Sequence, residues 1–255
     1  MLNQYGKDFV KILESIRYSK SKYEVFSDWL IMTAATLYSW KKDKNVEEEY
    51  LHIANQYTKE ELDKHAQLLA ITVEALEKEE QDFLGEVFTF AELTNSRNGQ
   101  FFTPYHISRM SAEMTIGDTF PEGRIVWVND PTCGSGGMLV AAASVMKEKE
   151  FNYQQNALFI AQDIDARCAR MAFIQLSLIG APAIIYCMNT LTMQEYWHRE
   201  TIGYYIADMD FRLKWENTIR KLKEIEAGVQ KPATEESKPV EIKMPSREAV
   251  QGELF

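Results

Sequence analysis

Apolar residues recur at three- and four-residue spacing over the first eighty positions, with almost no Gly or Pro to interrupt them. Phe9-Val10, Leu13 and Ile16 form one stripe; Phe26, Trp29-Leu30 and Thr33 form a second. Leu51, Ala54 and Tyr57 follow the charged run Lys41 to Glu49, and Leu62, Ala66, Leu69 and Val73 continue the pattern. Such spacing predicts packed amphipathic helices. The aromatics Tyr23, Phe26, Trp29, Tyr38 and Trp40 read as core and interface packing. A further helix is expected from Gln81, ending near the turn cluster Asn95-Ser96-Arg97-Asn98-Gly99, and another from Tyr105 to about Met114.

Beyond Pro121-Glu122-Gly123 the pattern changes. Arg124-Ile125-Val126-Trp127-Val128 is a short apolar run of the kind that forms a buried strand, stopped by Asn129-Asp130-Pro131. The glycine-rich turn Cys133-Gly134-Ser135-Gly136-Gly137 then opens a helix from Met138 to Lys149. Ala157 to Ala161 predicts a second strand, ending at Gln162-Asp163. Asp165 to Gly180 predicts a second helix, with Asp165 as N-cap and Gly180 at its end. Ala183-Ile184-Ile185-Tyr186-Cys187 predicts a third strand. Two strand–helix–strand units in series imply parallel strands and right-handed crossovers. A fourth strand is read over Tyr204 to Ala207, and a charged helix from Phe211 to Ala227. The polar, Pro-containing stretch from Gly228 reads as disordered. The expected fold class is therefore α/β. A helical N-terminal region (1–98) precedes an incomplete Rossmann-like sheet domain (99–227) and a disordered tail (228–255).

Composition narrows the class further. The chain has 255 residues, 45% hydrophobic and 26% charged, which excludes collagen, whole-chain disorder and a disulfide-stapled miniprotein. No apolar run reaches the roughly 18 residues of a membrane helix, and the N-terminus is not a secretory signal, so no membrane association is expected. Cys133, Cys168 and Cys187 form no C-x-x-C pair and read as reduced thiols of a cytoplasmic protein. His52, His65, His106 and His198 show no metal spacing, so no metal is expected. The net charge of −10 argues against a chain that grips DNA by phosphate contacts alone; any nucleic-acid binding requires a local groove or a partner.

The chemistry is concentrated at Asp130-Pro131-Thr132-Cys133-Gly134-Ser135-Gly136-Gly137, between a strand and a helix. Glycines there let backbone approach a ligand closely, beside helix N-terminal amides. A P-loop needs Lys after its last glycine, but Met138-Leu139 follow, and the third glycine of a dinucleotide fingerprint is missing. Asp163, at the next strand tip, supplies a carboxylate that can accept both hydroxyls of a ribose. Together these features describe an adenosine-binding site at the carboxyl ends of a parallel sheet. The plainer alternative is a structural turn with a helix-capping Asp.

The Asp130–Gly137 segment resembles the S-adenosylmethionine motif of adenine-N6 DNA methyltransferases, particularly the modification subunits of type I restriction-modification systems. Upstream, Gly99-Gln100-Phe101-Phe102-Thr103-Pro104 resembles that family's Gly-x-(Phe/Tyr)-(Phe/Tyr)-Thr-Pro motif, and Leu84-Gly85-Glu86 a segment just before it. The resemblance covers about residues 80–192. It implies a class I methyltransferase sheet, S-adenosyl-L-methionine as cofactor, and double-stranded DNA and a specificity or other methylase subunit as partners, in a bacterial or phage-infected cytoplasm. It also implies roles. Phe102, Thr103 and Pro104 line the methionine end, Asp130 and the loop Gly134, Ser135, Gly136 and Gly137 hold the amino-acid part, and Gln100, Phe101 and Thr132 are further cofactor-binding residues. Asp163 takes the ribose and Asn189, where the family usually has Asp, the adenine edge.

The family's (Asn/Asp)-Pro-Pro-aromatic motif, which polarises the target amine and stacks on the flipped base, has no Pro-Pro counterpart here. Asp208-Met209-Asp210-Phe211 is the best-placed candidate, with Asp208 and Phe211 in the catalytic roles. Two functions stay open: an adenine-specific DNA methyltransferase or subunit of one, and a non-catalytic cofactor-, DNA- or partner-binding module of the same fold. The C-terminal Gln251-Gly252-Glu253-Leu254-Phe255 resembles a peptide that docks on bacterial sliding clamps, with Gln251, Leu254 and Phe255 as anchors.

Overall fold

Each α-helix described in the N-terminal region begins at a side chain that accepts a backbone N–H. Asn3 caps α1 (Gln4–Ser15), Ser21 caps α2 (Lys22–Tyr38), and Asp43 caps α3 (Lys44–Ala54). Thr58 caps α4 (Lys59–Lys78) and Asp82 caps α5 (Phe83–Phe90). Ser21 with Glu24, and Thr58 with Glu61, form reciprocal capping boxes. Each cap is worth about 1 kcal/mol and fixes where its helix starts. The structure, a computed structural model, describes residues 2–16, 20–91, 102–120 and 125–207. Met1–Trp215 make one compact unit and Glu216–Phe255 another, which lies outside the described residues.

The helical region packs around fully buried aromatics. Phe9 meets Trp29 edge-on at 5.0 Å between centroids and Phe83 at 5.8 Å, and Phe26 meets Phe88 at 5.6 Å. The two edge-to-face pairs of Phe9 add roughly 0.5–1.5 kcal/mol each beyond their buried area, and the Phe26–Phe88 pair is tilted. The reading of Phe26, Trp29 and Tyr38 as core holds, since all three are buried. α2 buries residues on nearly all sides and packs against both α3 and α9 (Ala166–Leu178), which joins the helical region to the sheet.

Among the described residues the sheet has four strands in the order β1 (Val126–Asp130), β2 (Ala157–Asp163), β3 (Ala183–Asn189), β4 (Gln194–Glu200). The first three are parallel, as the strand–helix repeat predicts, and β4 returns antiparallel. α7 (Gly137–Glu148) and a short α8 (Tyr153–Asn156) connect β1 to β2, and α9 connects β2 to β3. α6 (Tyr105–Thr115) packs along α7. α7 is alanine-rich and buried along almost its whole length, which lets it sit close to its neighbours.

The fourth strand differs from the expected one. Residues 202–207 are helical, not extended. Thr201 explains this: its Oγ accepts from the Tyr204 N–H (3.2 Å), a helix cap, and its hydroxyl donates to the Ala181 carbonyl (2.6 Å). The observed β4 lies earlier, in a polar stretch, and is the outer strand of a hairpin. The helical region holds its end. Arg199 (3.0 Å) and Arg170 of α9 (2.6 Å) share Glu49 of α3, and Tyr38 donates to Glu200 (3.1 Å).

Candidate functional site

The strand register places three polar residues on an ascending diagonal. Asp130 pairs with Ala161, two residues before Asp163; Asp163 pairs with Cys187, two residues before Asn189. Each step is about 6–7 Å along the strands and about 4.8 Å across. The period of two puts all three on one face, the face whose Phe159, Ala161, Ile185 and Cys187 are buried in the main core. Polar tips at the carboxyl ends of parallel strands are where an open α/β sheet binds ligands.

Between β1 and α7 the chain folds down onto the tip of β2. Cys133 N–H donates to the Gln162 carbonyl (2.8 Å), and Gly134 N–H to Asp163 Oδ2 (2.9 Å). Asp163 Oδ1 accepts from Asp165 N–H (2.8 Å), and Asp130 Oδ1 from Thr132 N–H (3.1 Å). Gly134 and Gly136 stand at φ +55° and +89°, a region costly for other residues. A Cβ on Gly134 would lie 3.0 Å from the Phe102 ring. The two sequence motifs thus meet in space, and Phe102 in turn packs edge-on against Phe88 of α5 at 5.5 Å.

The electrostatics favour a cation. Asp130 and Asp163 are half-buried. Burial pushes the Asp130 carboxyl above the usual range, against the pull of the Thr132 amide. Burial also raises Asp163; the Asp165 and Gly134 amides pull it down, while the charges of Asp165 and Asp130 push it up again. Two acids beside a helix N-terminus repel a phosphate and reward a positive group. A carboxylate oxygen has more than one lone pair, so Asp163 retains capacity for ligand hydroxyls after its two amide bonds.

The other expected site residues fall as follows. Thr103 and Pro104 are exposed, directly before α6, and the Pro104 carbonyl accepts from Ile107 N–H at 2.8 Å. Thr132 is exposed; Ser135, Gly136 and Gly137 are buried. Asn189 Oδ1 accepts from the Leu191 (3.1 Å) and Thr192 (3.2 Å) amides in the hairpin turn, so its amide nitrogen is the atom left to address a ligand. Gln100, Phe101, Asp208, Phe211, Gln251, Leu254 and Phe255 lie outside the described residues.

Two residues with no part in the sequence reading stand behind the loop. Asp82, 3% exposed, accepts from Ser135 Oγ (2.7 Å), and Gln175 of α9, fully buried, donates to the Ser135 carbonyl (2.8 Å). The available signals were an acid before Leu84-Gly85 and a lone glutamine in an apolar helix. A separate open cavity of about 760 Å³, lined by Leu76, Glu80, Lys147, Phe151, Tyr153 and Ile179 among others, lies at the opposite ends of the strands. Among the described residues no cluster of His, Cys, Asp and Glu is placed to hold a metal, and no helix is long and apolar enough to cross a membrane.

Glycine loop, paired acids and parallel strand tips come together at the carboxyl end of an α/β sheet, where open sheets of this kind hold ligands. The family model for N-6 DNA methylases matches residues 79–238, more than half of the chain, and the chain belongs to that family. No curated protein matches it. Two solved structures are similar. One is described as a class I S-adenosylmethionine-dependent methyltransferase from Listeria monocytogenes: 15% identical, covering 71% of this chain and 52% of its own, TM-score 0.41. The other is the methyltransferase subunit of a type I restriction-modification system from Streptococcus thermophilus: 14% identical, 70% and 55% covered, TM-score 0.32. The chain spans about half the length of each.

Proposed function

We propose that this chain binds S-adenosyl-L-methionine at the strand tips and, alone or as a subunit, methylates N6 of adenine in double-stranded DNA. Family membership supports the reaction class. The observation that carries the cofactor is the Asp130–Asp163 pair around a glycine loop, which suits a positively charged nucleoside and opposes a phosphate. The residues fit the group. Asp130 and the loop Gly134 to Gly137 would hold its amino-acid part, Asp163 the ribose hydroxyls and the Asn189 amide the adenine edge, while Phe102, Thr103 and Pro104 would line the methionine end. When bound, the cofactor supplies a methyl group on a sulfonium. The chain's own work is positioning and charge stabilisation. Asp208 would accept from the target amine and Phe211 would stack on the extruded base, which repays roughly 1–3 kcal/mol of the cost of flipping. This reading implies the organisation of a helical region to 98, a cofactor domain over 99–227 and a tail over 228–255. It also implies a bacterial or phage setting and a specificity subunit that reads the DNA.

A second reading, a non-catalytic module of the same fold, is favoured by one feature: Asp208-Met209-Asp210-Phe211 lacks the Pro-Pro that fixes the catalytic turn. Calorimetric titration with S-adenosylmethionine, with Asp163→Ala as control, tests the cofactor site. Saturable binding lost in the variant is expected, and no binding by the intact chain refutes both the site and the enzyme. Transfer of labelled methyl to adenine-containing DNA, abolished by Asp208→Ala, is expected of the enzyme. Cofactor binding without transfer, with specificity subunit added, leaves the module.

A further inference from the structure

Ser135 lies between the two positive-φ glycines of the loop, and both of its polar ends are held from behind. Its hydroxyl donates to Asp82 Oδ2 (2.7 Å), and its carbonyl accepts from Gln175 Nε2 (2.8 Å). Gln175 Nε2 also donates to Asp82 Oδ1 (2.9 Å), and Gln175 Oε1 accepts from Leu84 N–H (3.0 Å). Asp82 Oδ1 further accepts from Gly85 N–H (3.1 Å). Asp82, Ser135 and Gln175 are 3%, 1% and 0% exposed. Three segments far apart in sequence, the start of α5, the loop and the middle of α9, therefore meet at one carboxylate.

The surrounding backbone is cleared for that carboxylate. A Cβ on Gly137 would lie 2.7 Å from Asp82 Oδ2, and one on Gly85 would collide with the same oxygen and with Ser135 Oγ. Gly137 is thus small because of Asp82. Burial pushes the Asp82 carboxyl up, while Gln175, Ser135 and the Gly85 amide pull it down. An isolated carboxyl there would be expensive, and its three donors are what make the position tenable.

We propose that Asp82 is a positioning residue for the cofactor: through Ser135 and Gln175 it fixes the glycine loop in its ligand-accepting shape, so that the helical region sets the cofactor affinity of the sheet. The affinity part of this inference rests on the S-adenosylmethionine reading above; the loop part does not.

The discriminating variant is Asp82→Asn. Asn Oδ1 can keep the Gly85 and Gln175 bonds, and its amide can donate to a rotated Ser135 hydroxyl. Asp82→Ala removes the common acceptor of the three donors, a loss of about 1–3 kcal/mol that corresponds to roughly fivefold to a hundredfold in affinity if the loop bears it. The full chain is labelled with 15N-glycine, and its Gly134, Gly136 and Gly137 amide resonances are followed beside those of remote Gly6 and Gly203. S-adenosylmethionine affinity is measured on the same samples. Asp82→Ala is expected to broaden or shift the loop glycines, spare the remote ones and weaken binding about tenfold; Asp82→Asn is expected to restore both. Ser135→Ala, which deletes one donor and little volume, gives the same test should Asp82→Ala fail to fold. Unmoved loop glycines, affinity within about threefold of wild type in Asp82→Ala, or an Asn variant no better than Ala overturns the proposal. Should the intact chain bind no cofactor, the cofactor reading fails, and the glycine resonances alone decide the clamp.

Discussion

Gly136→Ala tests the loop geometry most directly. Gly136 caps α7 at φ +89°, ψ +12°, and a Cβ there would lie 3.1 Å from both Cα and Cβ of Ala172 in α9. Three effects compete. Left-handed backbone costs an L-residue about 1–2 kcal/mol. Pressing a methyl into a helix backbone costs about 1–3 kcal/mol, since Ala172 has no flexible end that can yield. The stiffer unfolded chain returns about 0.4–1 kcal/mol. The net loss is centred near 3 kcal/mol, and at roughly 2–4 °C per kcal/mol for a chain of this size the melting point falls by about 6–12 °C.

Urea unfolding of wild type, Gly136→Ala, Ala172→Gly and the double variant separates the terms. Ala172→Gly alone costs about 1 kcal/mol of helix propensity. In the double variant it relieves the Cβ part of the crowding but leaves the dihedral strain. The double variant is therefore expected to be less destabilised than the sum of the singles by about 1 kcal/mol. A Gly136→Ala protein within about 0.5 kcal/mol of wild type would refute both the strain and the crowding arguments. Strict additivity would refute the contact with α9 and leave the strain.

The remaining predictions concern buried groups. Burial lowers the His65 pKa to about 4, although Asp28 and Glu61 oppose it, and both ring nitrogens lack hydrogen-bond partners among the described residues. A base whose folded pKa is depressed binds its proton first in the unfolded chain. Wild type should therefore lose stability relative to His65→Leu as pH falls from about 6.5 towards 4, by about 3 kcal/mol in total; a difference flat across that range contradicts the buried neutral ring. Cys133, Cys168 and Cys187 are buried, and burial pushes the thiols up, Cys187 to about 11. In the native protein at pH 8 none should react quickly with an aromatic disulfide reagent, and all three should react after unfolding; one fast equivalent would show a thiol open to solvent.

What the sequence revealed, and what it hid, follows the range of the interactions involved. β2, β3 and α9 were legible because apolar runs, the Asp165 cap and Gly180 are local signals. β4 was hidden because Gln-Glu-Tyr-Trp-His-Arg-Glu carries no apolar run; its pairing with β3 and the grip of Arg199 on Glu49 hold it in place. The apolar residues 202–207 invited a strand, and one threonine hydroxyl made them helical. Asp130, Asp163 and the glycines were visible as a motif, and Phe102 was singled out only through the resemblance, which did not give its contact with Gly134. The part Asp82 plays behind the loop was hidden, because its partners lie 53 and 93 residues away and its own neighbours mark it only as a helix cap.

The glycines of the loop share a logic that bears on how the site works. Gly134 makes room for Phe102, Gly136 for Ala172 and Gly137 for Asp82. Each is small because of a different protein segment, so the loop is shaped from behind and from the side before any ligand arrives. Pre-organisation of this kind lowers the ordering cost of binding. The helical region supplies both Asp82 and Phe88, the ring beneath Phe102. Removing that region would therefore unmake the loop even where the parallel strands persisted. The cost appears at Asp130 and Asp163, whose carboxyls burial pushes towards protonation. A cation between them reverses that push, so a positively charged ligand would be bound more weakly as acid neutralises the pair.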